Sequence, residues 1–261
     1  MNVDDPSSRT LSTLVTTFRI VDTLERMGHA TAIELTEALD LSKSAVYNHL
    51  TTLKQHGYVV QDGEYYTLSL EFLRLGEFVR NNNDLYRVGR EPLEELANST
   101  GEYVHLSVEE RGRLMHLYKV KGDRAVGEDF QTNKMHDTSR LHYTATGKAI
   151  LAHLPRTRVE EILDDRTLES KTQNTIVSTT ELYEELERIR RMGYSQNDEE
   201  QIKGLRAVGA PIVDSEDRVK GAISISGPTS RLTGAEFHDR IPELVTRTAN
   251  IIEVNMNMNT R

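Results

Sequence analysis

Between Leu41 and Val60 the chain reads LSKSAVYNHLTTLKQHGYVV, with Ser44, Tyr47, Asn48 and Thr51 recurring at spacings of three and four. On a helix such residues share one face. Hydroxyls, a phenol and an amide on one face are groups that reach base edges and phosphates in a DNA groove. Ser42 and Lys43 stand at the start of that helix and Lys54 near its end, where they would contact phosphate. No Asp or Glu occurs from Leu41 through Gln61, so the face is locally neutral to basic. A second group is Ala145-Thr146-Gly147, small residues directly ahead of an apolar helical run. They leave backbone N–H groups at a helix N-terminus, where an anion or a carbonyl oxygen can dock. A third is Ser224 and Ser226, two apart in an apolar stretch and therefore on one face of a strand.

Other chemistry-bearing residues form no comparable pattern. Glu160-Glu161, Glu184-Glu185 and Glu199-Glu200 are carboxylate pairs, but adjacent helical residues point about 100° apart. The first two pairs read as exposed helical faces. His105, His116, His136 and His142 lack a His-x-x-x-His or His-Glu-x-x-His arrangement and read as ordinary polar histidines. No Gly-x-Ser-x-Gly surrounds Ser224 and Ser226, and Gly204 to Gly209 lacks the Lys-Ser/Thr of a phosphate loop. No catalytic residue, metal site or cofactor is expected.

The elements that would position these residues follow from periodicity. Leu14, Phe18, Val21 and Leu24 mark a first helix ending at Gly28. Residues 32–39 form a second, and Ser42 caps a third whose Val46, Leu50 and Leu53 make an apolar stripe before Gly57. Tyr58-Val59-Val60 and Tyr65-Tyr66-Thr67-Leu68 flank a turn with Asp62-Gly63 at its centre, the mark of a hairpin. Three helices and such a wing describe a winged helix-turn-helix. Asn81 to Asp84 interrupt the next apolar pattern, and a helix restarts at Leu85 with Val88, Leu93 and Leu96 inward and Pro92 inside it. Beyond Gly101 come a hairpin (103–108 and 113–120), a polar loop (129–140) and the helix that reaches Leu154. Helices near 158–163 and 180–192 and strands near 194–197, 204–213 and 219–226 follow. A long helix from Ala235 has Ile241, Leu244, Val245, Thr248, Ile251 and Ile252 inward. The fold class is α+β with an antiparallel sheet.

Composition sets the outer limits. With 261 residues and 37% hydrophobic content, two domains with real cores are expected. The absence of cysteine removes disulfides, thiolate metal sites and cysteine nucleophiles. No signal pattern opens the chain and no run approaches about 18 apolar residues, so a cytoplasmic protein without a membrane span is expected. A net charge of −9 opposes a nucleic-acid partner globally, and it favours a sensor or protein-interaction module over a DNA binder. The acidic surplus and the excess of Arg over Lys suggest a surface adapted to high salt.

Taken in order, ELTEALDLSKSAVYNHLTTLKQHGYV (34–59), LHYTATGKAILAHL (141–154), EEQIKGLRAVGAPI (199–212) and VKGAISISGPTSRLT (219–233) resemble the IclR family of transcription regulators over nearly the whole chain. The resemblance implies a winged helix-turn-helix DNA-binding domain (1–75), a linker helix (76–100) and a GAF-like effector-binding domain (101–261). It implies binding of double-stranded DNA at a palindromic operator by homodimers that pair further into homotetramers. Carried over by motif, the effector site comprises Ala145, Thr146, Asn197, Leu205, Ala207, Ser224 and Ser226. Asn197 and Ala207 stand where some relatives have an acidic side chain and a cysteine. None of the seven is cationic, which makes a neutral polyol easier to hold than a dicarboxylate.

Overall fold

The computed structural model describes residues 10–126, 140–164 and 167–259. The expected polar loop at 129–139, His136 included, lies outside them. The chain divides into two compact units, Met1–Arg80 and Asn81–Arg261.

In the first unit α1 (Ser12–Met27), α2 (Ala32–Leu39) and α3 (Lys43–Gln55) pack around Ile20, Leu24, Leu35, Val46 and Leu50. A capping box starts α2: Glu34 N donates to Thr31 Oγ1, and Thr31 N donates to the Glu34 carboxylate at 2.7 Å. Such reciprocal caps satisfy donors that a helix start otherwise leaves unpaired. The wing strands β2 (Val59–Asp62) and β3 (Tyr65–Leu68) pair antiparallel, and a two-residue strand β1 (Ala30–Thr31) adds to β3. Two residues are too few for alternation to reveal, so the sequence did not announce β1. In α1 the buried residues are Ile20, Thr23 and Leu24, whereas Leu14 and Phe18 are 53% and 64% exposed. Of the expected stripe, Leu24 is buried in this core and Val21 packs against it, whereas Leu14 and Phe18 stand outside it. A fourth helix, α4 (Glu71–Asn81), buries none of its residues and exposes Leu73, Phe78 and Val79.

The second unit is built on a five-stranded sheet of order β5-β4-β8-β7-β6, antiparallel throughout. Its strands are β4 (Tyr103–Glu110), β5 (Arg113–Lys121), β6 (Ser195–Asp198), β7 (Leu205–Val213) and β8 (Val219–Pro228). Alternation divides each strand between two faces. Val104, Leu106, Val208, Ala210, Ile223 and Ile225 pack on one side against α5 (Asp84–Thr100) and the C-terminal helix α9 (Ile241–Asn259). The other side is covered by α6 (Ala145–His153), whose Ala149 to Ala152 share a core with Leu182, Leu186 and Ile189 of α8 (Thr179–Met192) and with Val159 of α7 (Arg156–Asp164). Along α9, Ile241, Val245, Thr248 and Ile252 are inward as expected, but Ile251 is 43% exposed. It borders an open groove of about 500 Å³ between Glu243 and Asn255. No helix among the described residues is long and apolar enough to cross a membrane.

Candidate DNA-recognition face and effector site

Helix α3 presents the residue face that its spacing predicts. Val46, Leu50 and Leu53 are buried, while Lys43, Ser44, Tyr47, Asn48, Thr51 and Lys54 are exposed. Ser42 caps the helix by accepting from Ala45 N at 3.2 Å, which leaves its hydroxyl hydrogen available to a phosphate. Thr17 Oγ1 of α1 lies 2.9 Å from His49 Nδ1 and ties the partly buried flank of α3 to its neighbour. Lys54 Nζ donates to Gln61 Oε1 at 2.8 Å, linking the end of the helix to the wing. The turn between the wing strands carries Asp62 and Glu64, an unfavourable tip for phosphate.

In the second unit the register assembles the other predicted residues. On the α6 side of the sheet one row of directly paired residues runs Tyr103, Ser226, Ala207 and Asn197. The next runs Lys119, His105, Ser224, Gly209 and Ser195. Facing pairs of this kind bring side chains to about 4.5–5.5 Å at Cβ. Ser224, Ser226, Ala207 and Asn197 thus belong to one patch, and all are buried. Leu205 shares their face by alternation but lies at the strand end opposite Pro228, and it is half-buried. Ala145 and Thr146 enter from above: Ser195 Oγ donates to Ala145 O at 2.6 Å, and a Cβ on Gly209 would meet Ala145 C at 2.8 Å. Only a glycine lets α6 rest this closely on β7.

The first turn of α6 is less open than its sequence suggests. Thr144 caps it by accepting from Gly147 N at 3.0 Å, so the N–H groups ahead of that capped position are those of Ala145 and Thr146. Asn197 has a positioning role, donating to Tyr143 O at 2.6 Å and accepting from Glu200 N at 2.9 Å. It pins the turn before α6 to the loop after β6.

Glu185, expected on an exposed helical face, is not solvated, and neither is Glu200. Lys148, the last residue of the TATGK motif, is 1% exposed and donates to Glu200 at 2.6 Å and to Glu185 at 3.2 Å. Glu185 also accepts from Arg188 at 2.7 Å. Burial pushes the Glu200 carboxyl up against the pull of Lys148. Burial also pushes Glu185 up, but hydrogen bonds and charge from Arg188 and Lys148 leave it below its ordinary value. The sequence could not show this because the three partners lie far apart in it.

The histidines of the hairpin join the patch. His105 Nε2 lies 3.1 Å from Ser226 Oγ, and His116 Nδ1 lies 2.8 Å from Ser107 Oγ. A register shift between Leu106 and Ser107 leaves Leu117 without a paired partner, so His116 and Lys119 share a face despite their odd spacing. Strict alternation would have separated them. Among the described residues no group of three or more His, Cys, Asp or Glu is placed to hold a metal ion.

Removing the cation from the Lys148 cluster by Lys148→Met leaves two desolvated carboxylates without it. Breaking a buried pair in this way costs about 3–5 kcal/mol, to be read as a lower urea midpoint, with partial recovery on adding Glu200→Gln. Unchanged stability of Lys148→Met would show that the cluster does not hold α6 in place.

Comparison with known proteins bears on both units. A family described as the IclR C-terminal domain of bacterial transcriptional regulators matches residues 78–254, and the IclR helix-turn-helix domain matches residues 13–63. The chain is 37% identical over 249 residues to a probable HTH-type transcriptional regulator, ArcR, of Halobacterium salinarum, covering 95% of each. It is 32% identical to the HTH-type transcriptional regulator KdgR of Dickeya chrysanthemi, covering 95% of this chain and 81% of that one. The crystal structure of the Thermotoga maritima IclR superposes with a TM-score of 0.75 at 28% identity, over 95% of this chain and 99% of the other. The chain therefore belongs to the IclR family, a family of transcription regulators rather than enzymes, with a helix-turn-helix DNA-binding unit and an effector-binding C-terminal unit.

Proposed function

We propose that this regulator reads a palindromic double-stranded operator through Ser44, Tyr47, Asn48 and Thr51, with Ser42, Lys43 and Lys54 on phosphate. The observation that carries this reading is the two-sidedness of α3: its apolar stripe is spent on the core, while the polar residues stand exposed in a stretch free of carboxylates. The rest of the acidic chain repels DNA, so binding depends on this local face, and high salt weakens the attraction further. The domains are a DNA-binding part (1–75), a linker (76–100) and an effector-binding part (101–261). A small metabolite enters the patch of Ala145, Thr146, Asn197, Leu205, Ala207, Ser224 and Ser226 and changes operator affinity. The protein works in the cytoplasm.

A homodimer fits this function, since one winged helix makes few contacts and a pair reads two half-sites. The exposed apolar residues at the start of α1 (Leu14 and Phe18, with Leu11 just before it) and on α4 (Leu73, Phe78 and Val79) support dimerisation through the N-terminal part. The face of α9 with Ile251, Val254 and Met258 supports further pairing into a homotetramer.

With operator fragments selected from genomic DNA, Asn48→Ala should weaken specific binding by roughly tenfold or more and relax preference at one base pair. Lys43→Ala should weaken all sequences alike. Wild-type affinity and preference in both variants would remove α3 as the reading face. Light scattering at micromolar concentration should give a dimer or tetramer, and a monomer with and without DNA would contradict the assembly.

A further inference from the structure

The turn of the wing carries two carboxylates, Asp62 and Glu64, and Lys54 at the end of α3 reaches the strand that leads into it. Among the described residues its ammonium pairs with neither carboxylate. It donates instead to the amide oxygen of Gln61 at 2.8 Å. Gln61 Nε2 donates onward at 2.9 Å to the carbonyl of Gly63, the residue of the turn with a φ of 57°. One exposed amide therefore bridges the recognition helix, strand β2 and the turn. The ladder fixes where that amide leaves the sheet. Gln61 is paired directly with Tyr66, so it shares the face on which Tyr66 is buried in the helical core. We propose that Gln61 is a positioning residue for operator binding, holding the Lys54 ammonium at the seam between α3 and the wing for a DNA phosphate and away from the carboxylates of the turn. The inference rests on the reading of α3 as the DNA-contacting helix.

The chemistry of the bridge carries the argument. An ammonium has three N–H donors and the amide takes one, which leaves two for phosphate oxygens. A neutral acceptor orients the cation without cancelling it, whereas a carboxylate in the same place would compete with the phosphate for its charge. Lysine also has a flexible stem of four carbons, which a phosphate contact must order. Gln61 supplies part of that order before DNA arrives, and such preorganisation lowers the cost of binding. The surroundings make the choice of acceptor matter. Lys43 and Lys54 are the two Lys or Arg residues between Leu41 and Gln61, and they stand at opposite ends of α3. Lys54 is thus the cation that this stretch offers on the wing side, next to an acidic turn in a chain of net charge −9. A change of acceptor from amide to carboxylate would remove it from the face electrostatically while leaving it in place sterically.

The test is binding of the full chain to an operator fragment selected from genomic DNA, read by fluorescence anisotropy from about 50 to 200 mM KCl, where log affinity falls linearly with log salt. Lys54→Met should make that slope shallower by roughly 0.9 for each subunit on DNA. Gln61→Met removes the bridge and keeps the charge, so affinity should fall by roughly threefold or more at every salt concentration with the slope unchanged. In a Lys54→Met background the same change should cost nothing further, since Gln61 then has no ammonium to hold. Gln61→Glu keeps an acceptor in place but pairs off the charge, so its slope should approach that of Lys54→Met. All variants should melt with the wild type, as changes at exposed positions generally do. Gln61→Met that binds like the wild type, or that costs as much without Lys54 as with it, overturns the proposal, because Gln61 would then act on the wing alone. Gln61→Glu with the wild-type slope overturns it too. A slope lowered by Lys54→Met beside an indifferent Gln61→Met removes this inference and leaves the reading face standing. If Lys54→Met is itself silent while Asn48→Ala still weakens binding, Lys54 is off the phosphate and the proposal falls with it. If Asn48→Ala is silent as well, α3 is not the reading face.

Discussion

The effector unit depends on one close approach, that of α6 to the middle of the sheet. Gly209 has no side chain to hold the helix away, and Ser195 from the neighbouring strand donates its hydroxyl to Ala145 O at 2.6 Å. A backbone carbonyl of the first turn thus takes a hydrogen bond from the sheet itself, and the N-terminus of α6 comes to the row that contains Ser224. Further polar contacts hold the same helix start. Thr144 caps the turn, Asn197 ties the preceding turn to the β6–β7 loop, and Lys148 draws that loop and α8 together through two carboxylates. A buried ion cluster of this kind is a weak source of net stability. It joins elements that come from distant parts of the sequence.

The same sheet separates structure from chemistry. One face is apolar, with Val104, Leu106, Val208, Ile223 and Ile225 between α5 and α9. The other alternates serines, small residues and histidines beneath α6. Gly209 gives its space to the first turn of α6, and Tyr103, His105 and Lys119 stand in the same rows as the two serines. The DNA-binding unit divides its labour in the same manner on a single helix, since α3 gives one side to the core and the other to solvent.

Much of this was legible in the sequence because local periodicity carries it. The recognition helix, its Ser42 cap, the wing and the pairing of Ser224 with Ser226 on one strand face all follow from spacings within a few residues. What depended on long-range register was not legible. Glu185 looked like a solvated carboxylate, and its link to Glu200 did not show, because their common partner, Lys148, is distant in sequence. That His116 and Lys119 share a face could not be read from alternation, because a bulge does not show in it. Ile251 obeyed the helical period but was assigned inward, and Leu14 and Phe18 obeyed it yet stand exposed, since periodicity identifies an apolar face without naming what covers it.

A ligand shifts an equilibrium only by its differential affinity for the two states, and the coupling is reciprocal. If a metabolite in the sheet patch governs operator binding, the operator must govern metabolite binding by the same factor. The most direct measurement is therefore the affinity of the bound metabolite for the full chain, by calorimetry, with and without saturating operator DNA. The account predicts a change of about 5- to 150-fold, equal to the change the metabolite produces in operator affinity. Equal metabolite affinity in the two titrations would contradict it.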